Sequence, residues 1–172
     1  MQIHFLALSA SLILALNLGA CSPDQNWRDV SFEGSPLKAQ LPCKPDKTTR
    51  SVPLGGQPVD LQMVGCESGT AMVAVMTATL PAGADANAVM LGWQKATLNN
   101  ARVQPGQETG RQTWHRPGHL PLSASLRLQA PGLRANGEPV HLDAVWGAVA
   151  EGDRVRLVHA VLYDSKIQPE MA

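Results

Sequence analysis

Trp114-His115-Arg116-Pro117-Gly118-His119 is the one dense polar-aromatic cluster in the chain. Two imidazoles four residues apart could share a metal ion, and on a helix that spacing sets both on one face. Pro117-Gly118 breaks any helix here, so the spacing loses its geometric meaning. No glutamate stands beside the pair at general-base spacing. His115 and His119 stay as weak metal candidates beside the plainer reading, a strand-to-loop segment on the surface. His141 and His159 fall on strand-like stretches and could be spatial neighbours, with Asp143 as a general-base partner for either. His159 lies among Val155, Leu157 and Val161, which reads as a core or rim histidine. The serines show no Gly-x-Ser-x-Gly elbow to supply a nucleophile. Gly65-Cys66-Glu67-Ser68-Gly69 lacks the Lys-Ser/Thr ending of a phosphate loop. The carboxylates form no close pair for glycosidic chemistry. The reading therefore expects no catalytic residue and no cofactor, and leans away from an enzyme.

The chain opens with an apolar run, Phe5 to Leu18, interrupted only by Ser9, Ser11 and Asn17. It is shorter than a membrane span of ~20 residues, and it has the size of a signal-peptide apolar region that ends in small residues. The quartet Leu18-Gly19-Ala20-Cys21 resembles the lipobox of bacterial lipoproteins. The resemblance implies cleavage before Cys21, a diacylglycerol on its sulfur and an acylated amine. Residues 1–20 are then the signal peptide, 21–29 a lipidated tether and 30–172 a single domain. At ~0.8 kcal/mol per buried CH2, several acyl chains anchor a protein stably. Ser22 in place of aspartate implies the outer membrane by the same resemblance. The segment Met1-Gln2-Ile3-His4 carries no Lys or Arg. An ordinary Cys21 in a plain secreted protein, or an uncleaved anchor, is the alternative.

With Cys21 carrying lipid, Cys43 and Cys66 remain, and two cysteines in an exported protein read as a disulfide. Gly55-Gly56 is a two-residue hairpin turn signal. Placed between Leu54 and Gln57, it pairs Val52 with Val59, Arg50 with Leu61 and Thr48 with Met63. Cys66 then faces Pro45, with Cys43 two residues further along, so a bridge would staple the open end of the hairpin. A redox or metal-binding pair is the alternative, but no C-x-x-C is present. The 14 basic and 14 acidic side chains cancel and are dispersed, which gives no electrostatic footprint for nucleic acid. The densest basic stretch, Lys38, Lys44, Lys47 and Arg50, is diluted by Asp46 and reads as a solvated strand edge.

Val30 to Leu41 reads as a first strand, interrupted near Gly34-Ser35-Pro36. The hairpin arms are Thr48–Leu54 and Val59–Val64. Ala71–Leu80 is apolar on both faces and reads as a central strand. Asp85 caps one amphipathic helix, with Val89, Met90, Trp93, Ala96 and Thr97 on its apolar face and Gln94, Lys95 and Asn99 away from it. Trp93 reads as a plug between helix and sheet. Gln112–Arg116 and Leu122–Gln129 follow as strands, the latter turning Ala124, Leu126 and Leu128 against Ser125, Arg127 and Gln129. After the Asn136-Gly137 turn, Val140–Val149 carries Val140, Leu142, Ala144, Trp146 and Ala148 on one face. Val155–Tyr163 is the last strand. The pattern is α+β, an antiparallel meander with one main helix packed on it.

Phe32 through Leu41-Pro42-Cys43-Lys44-Pro45, the hairpin, the helix, Pro117-Gly118 and the strand Gly152-Asp153-Arg154-Val155-Arg156-Leu157 together resemble a group of bacterial envelope proteins. That group is similar to the PsbP-like α/β/α sandwich. The resemblance covers roughly residues 27 to 165 and implies a non-catalytic assembly or binding module, with no site residues to transfer. Such proteins usually close with a helix, which is missing here or survives as a stub from Gln168. One sheet face is then under-covered, which suits a partner or a dimer. The expected function is a membrane-anchored binding or assembly module of the cell envelope. It would sit on the periplasmic side and hold an envelope protein partner. The alternative is a carrier of lipid or another apolar ligand, with Met63, Met72, Met76 and Met90 lining a cavity between helix and sheet.

Overall fold

The computed structural model describes residues 26–54 and 56–166. The expected signal peptide, Cys21 and the expected helix stub from Gln168 lie outside the described residues. The elements run β1 (Arg28–Ser31), β2 (Lys38–Leu41), β3 (Asp46–Leu54), β4 (Gln57–Ser68), β5 (Ala71–Thr79), α1 (Ala86–Asn100), β6 (Gly110–Thr113), β7 (Leu126–Leu133), β8 (Pro139–Glu151) and β9 (Arg154–Asp164). β1 and β2 pair with each other, while the other seven strands form one antiparallel sheet in the order β3-β4-β5-β9-β8-β7-β6. The protein is α+β and mostly sheet.

The β3–β4 register is the one expected from the glycine turn, with Val52 opposite Val59 and Thr48 opposite Met63. The single meander of the sequence reading becomes two. β3-β4-β5 and β6-β7-β8-β9 are separate runs, joined edge to edge where β5 meets β9 and Met76 faces His159. α1 carries the chain from one run to the far edge of the other. The expected first strand, Val30–Leu41, is a small hairpin. Gly34 at φ 67° and Pro36, which has no N–H, cannot continue a ladder. The chain reverses there, and Val30 pairs with Ala39.

α1 starts as expected, with the Asp85 carboxylate accepting the Ala88 N–H at 3.1 Å. Its buried residues include Val89, Met90, Trp93 and Thr97. Gln94 is buried and Ala96 exposed, the reverse of the expectation. The cause is a loop beside the helix. Gln94 Nε2 donates to the Ala124 carbonyl at 2.7 Å, and Asn87 Oδ1 accepts the Ala124 N–H at 3.0 Å. These bonds claim the Ala124 backbone, and the Ser125 N–H turns back to the Leu122 carbonyl at 3.0 Å, so β7 begins only at Leu126.

Trp93 sets its ring edge against His159, with centroids 5.3 Å apart, and His159 stacks flat on Trp146 at 4.4 Å. The imidazole meets the Val145 carbonyl through Nδ1 at 3.0 Å and Thr97 Oγ1 through Nε2 at 3.4 Å. Burial pushes its pKa down to about 4, against the pull of the Val145 carbonyl. His159 is thus a satisfied core histidine. It is not a neighbour of His141. Trp146 lies opposite His159 and Asp164 opposite His141; five residues apart on β8, Trp146 and His141 point to opposite faces.

Candidate functional site

On the sheet face away from Trp93, the registers align side chains in rows. Val73, Leu162, Asp143 and Gln129 form one row across β5, β9, β8 and β7. Val75, Ala160, Val145 and Arg127 form the next. The β1–β2 hairpin covers the β4 and β5 side. Val30, Phe32 and Leu41 bury against Val64, Cys66 and Val75. At its turn, the Glu33 carbonyl accepts from Gln62 Nε2 at 2.9 Å. At its open end, Cys43 and Cys66 stand at disulfide distance, their Cα atoms 5.9 Å apart, within the range a bridge requires.

Trp114 forms the opposite wall. β6 stops at Thr113, three residues before the expected end at Arg116, so the cluster 114–119 leaves the sheet as a loop. Gly147 makes room for it. A Cβ at that position would lie 2.6 Å from Trp114 Cζ3 and 2.9 Å from His119 Nδ1. His119 stands edge-on to Trp114 with centroids 4.8 Å apart, and the Arg116 guanidinium lies 5.8 Å from the Trp114 ring centre. The Leu120 N–H ties the loop to the Ala148 carbonyl at 2.8 Å.

Between hairpin and loop lies an open trough of about 410 Å³. Its floor includes Val73, Val145, Val158, Ala160 and Leu162, and Trp114, Arg116, Arg127 and Asp143 line its rim. Arg127 Nε donates to Asp143 Oδ1 at 2.9 Å, its Nη2 reaches Oδ2, and Gln129 Nε2 donates to the same oxygen at 2.9 Å. Partial burial opposes ionisation of Asp143. The bonds from Arg127 and Gln129, with the charges of Arg127 and His141, outweigh it and hold the carboxyl below its usual range. The same hydrogen bond raises the Arg127 pKa. Fork and carboxylate thus neutralise each other. Further along the face, buried Arg156 binds Glu151 Oε1 at 2.7 and 2.9 Å and Thr77 Oγ1 at 2.8 Å, which knits β5 and β9 to the β8–β9 turn.

The structure does not turn His115 and His119 into a metal centre. His115 is exposed, while His119 folds under Trp114, where burial and then Arg116 lower its pKa. Among the described residues, no three His, Cys, Asp or Glu side chains gather to hold an ion. Asp143 is committed to Arg127, not to a histidine. Met63, Met76 and Met90 pack into the core on the helix side, where Trp93, His159 and Trp146 also sit. Met72 instead edges a separate open hollow of about 400 Å³ with Tyr163, near the last turn of α1. Gly147 escaped the sequence reading because a glycine inside an apolar strand shows no partner until the loop is in place. Arg127 and Gln129 were visible as outward-facing positions, but their partner Asp143 depends on the β7–β8 register. No protein-family model matches the chain, and no curated protein is significantly similar to it.

Proposed function

We propose that the protein is a membrane-anchored, non-enzymatic binding module of the bacterial cell envelope, built as a PsbP-like sandwich and held at Cys21 on the periplasmic side of the outer membrane. The observation that carries this reading is the trough. A sheet face that would otherwise be covered presents aliphatic side chains to solvent, between a fastened hairpin and a tryptophan wall. Arg127 and Asp143 are spent on each other and Arg116 lies by the Trp114 ring, so what it offers a partner is apolar area with a polar rim, the composition of a protein-docking patch. The Cys43–Cys66 pair supports residence in an oxidising compartment.

The test is Val145→Glu in the native, lipidated protein. The carboxylate would enter the trough floor beside Arg127. Circular dichroism should show an unchanged fold, while a complex isolated from envelope extracts with the native chain should be lost. An intact complex with the glutamate in place would overturn the reading. A bound small amphiphile, released by organic extraction of the native protein and absent from the variant, would instead favour the carrier of an apolar ligand.

A further inference from the structure

We propose that the Trp27 end of the domain lies directly on the lipid bilayer, with the indole in the headgroup layer, so that the trough opens beside the membrane. This rests on the anchor at Cys21 and adds to it an orientation and a contact surface.

Trp27 is 57 % exposed; only Leu91 stands beside it among the exposed large apolar side chains of the described residues. An indole with an apolar body and one N–H is the side chain best suited to the boundary between headgroups and hydrocarbon. Its position is fixed. The Asn26 N–H donates to the Pro42 carbonyl at 2.9 Å, and Arg28 begins β1 opposite Leu41. The Cys43–Cys66 pair sits at the same end. Trp27 is therefore held on a fastened platform.

Chain length supplies the second argument. Cys21 precedes Trp27 by six residues, which at ~3.5 Å per residue span at most about 21 Å. An acylated Cys21 thus keeps this end within one short extended segment of the headgroups. Charge does not drive that placement: exposed Arg28 and Lys44 are offset by exposed Asp29 and Asp46, with Glu67 beside Cys66. Attachment comes from the hydrophobic anchor and the indole.

The orientation also places the trough. Leu162 lies opposite Val73, and Val73 opposite Cys66, so the Leu162 end of the floor is level with the disulfide end of the hairpin. A partner seated there would meet the domain next to the bilayer surface.

The experiment uses the native lipidated protein in vesicles of phosphatidylethanolamine and phosphatidylglycerol, with and without bromine on the acyl chains. Trp93 and Trp146 are buried and Trp114 is half-buried on the trough wall, so Trp27 is read from the difference between the native protein and Trp27→Phe. The expected result is clearly stronger quenching in the native protein than in Trp27→Phe, with both proteins recovered in the vesicle fraction. Two results would overturn the proposal. Acylated protein in the vesicles with no quenching difference between native and W27F would remove the orientation and leave the anchor standing. A native chain whose mass shows an unmodified Cys21, free in solution, would remove the anchor and the orientation together.

Discussion

Gly147→Ala tests the architecture of the trough wall. The added Cβ would stand 2.6 Å from Trp114 Cζ3 and 2.9 Å from His119 Nδ1. Comfortable carbon contacts lie near ~3.5–4.0 Å, so each neighbour must retreat by about 1 Å. The obstacle is an indole ring, not the tip of a flexible chain. It carries His119 against its edge and Arg116 over its face, and the loop is pinned by Leu120 to Ala148. Moving Trp114 moves the group. Overpacking of this kind costs about 1–3 kcal/mol, which for a domain of this size lowers the melting temperature by roughly 3–12 °C. The assay is thermal unfolding followed by near-ultraviolet dichroism, with tryptophan emission of the folded state as a second readout. The emission should shift to the red as Trp114 swings outward. Trp114→Ala in the same background should relieve the clash, so the double variant should be more stable than the sum of the singles by more than about 0.5 kcal/mol. An unchanged melting temperature for G147A, or strictly additive effects in the cycle, would refute the reasoning.

Cys43→Ser with Cys66→Ser should lower stability by about 3 kcal/mol, from a loop with sequence separation 23; urea unfolding with and without reductant checks it, and equal midpoints would contradict a bridge. Unfolded His159 binds a proton below its ordinary pKa of 6.5, whereas the folded side chain resists protonation down to about 4. Stability should therefore fall as pH drops from 6.5 to 4, by about 3 kcal/mol from this group; His159→Phe should flatten that part of the profile, and an unchanged slope would remove His159 as its source. Arg156→Met strands Glu151 and Thr77 and should cost about 3 kcal/mol, read from the urea midpoint; a loss under about 1 kcal/mol would show that the buried network adds little.

Much of the local structure was legible in the residues. The Gly55-Gly56 signal anticipated the β3–β4 register, with Leu54 opposite Gln57, and that register brings Cys66 level with the approach to Cys43. Asp85 caps α1 through a bond three residues long. Alternation on Val140–Val149 put Val140, Leu142, Ala144, Trp146 and Ala148 on one face, and that face is the buried one. What stayed hidden depends on contacts distant in sequence. The pairing of β5 with β9 joins residues more than 75 positions apart, and no local signal selects it. Gln94 is buried because a loop some 30 residues later offers a carbonyl. Val30–Leu41 looked like one interrupted strand, since a hairpin and a broken strand share the same alternation. The trough likewise depends on contacts distant in sequence, with the hairpin, the β7–β8 register and the Gly147 slot each supplying one boundary.

The most direct measurement is photo-crosslinking in the native envelope, with a light-activated side chain at Val145 on the trough floor and, as control, at Leu91 on the exposed face of α1. A discrete adduct from position 145 that position 91 does not give is the predicted result. No adduct at 145, or the same smear from both positions, would contradict a docking role for this face.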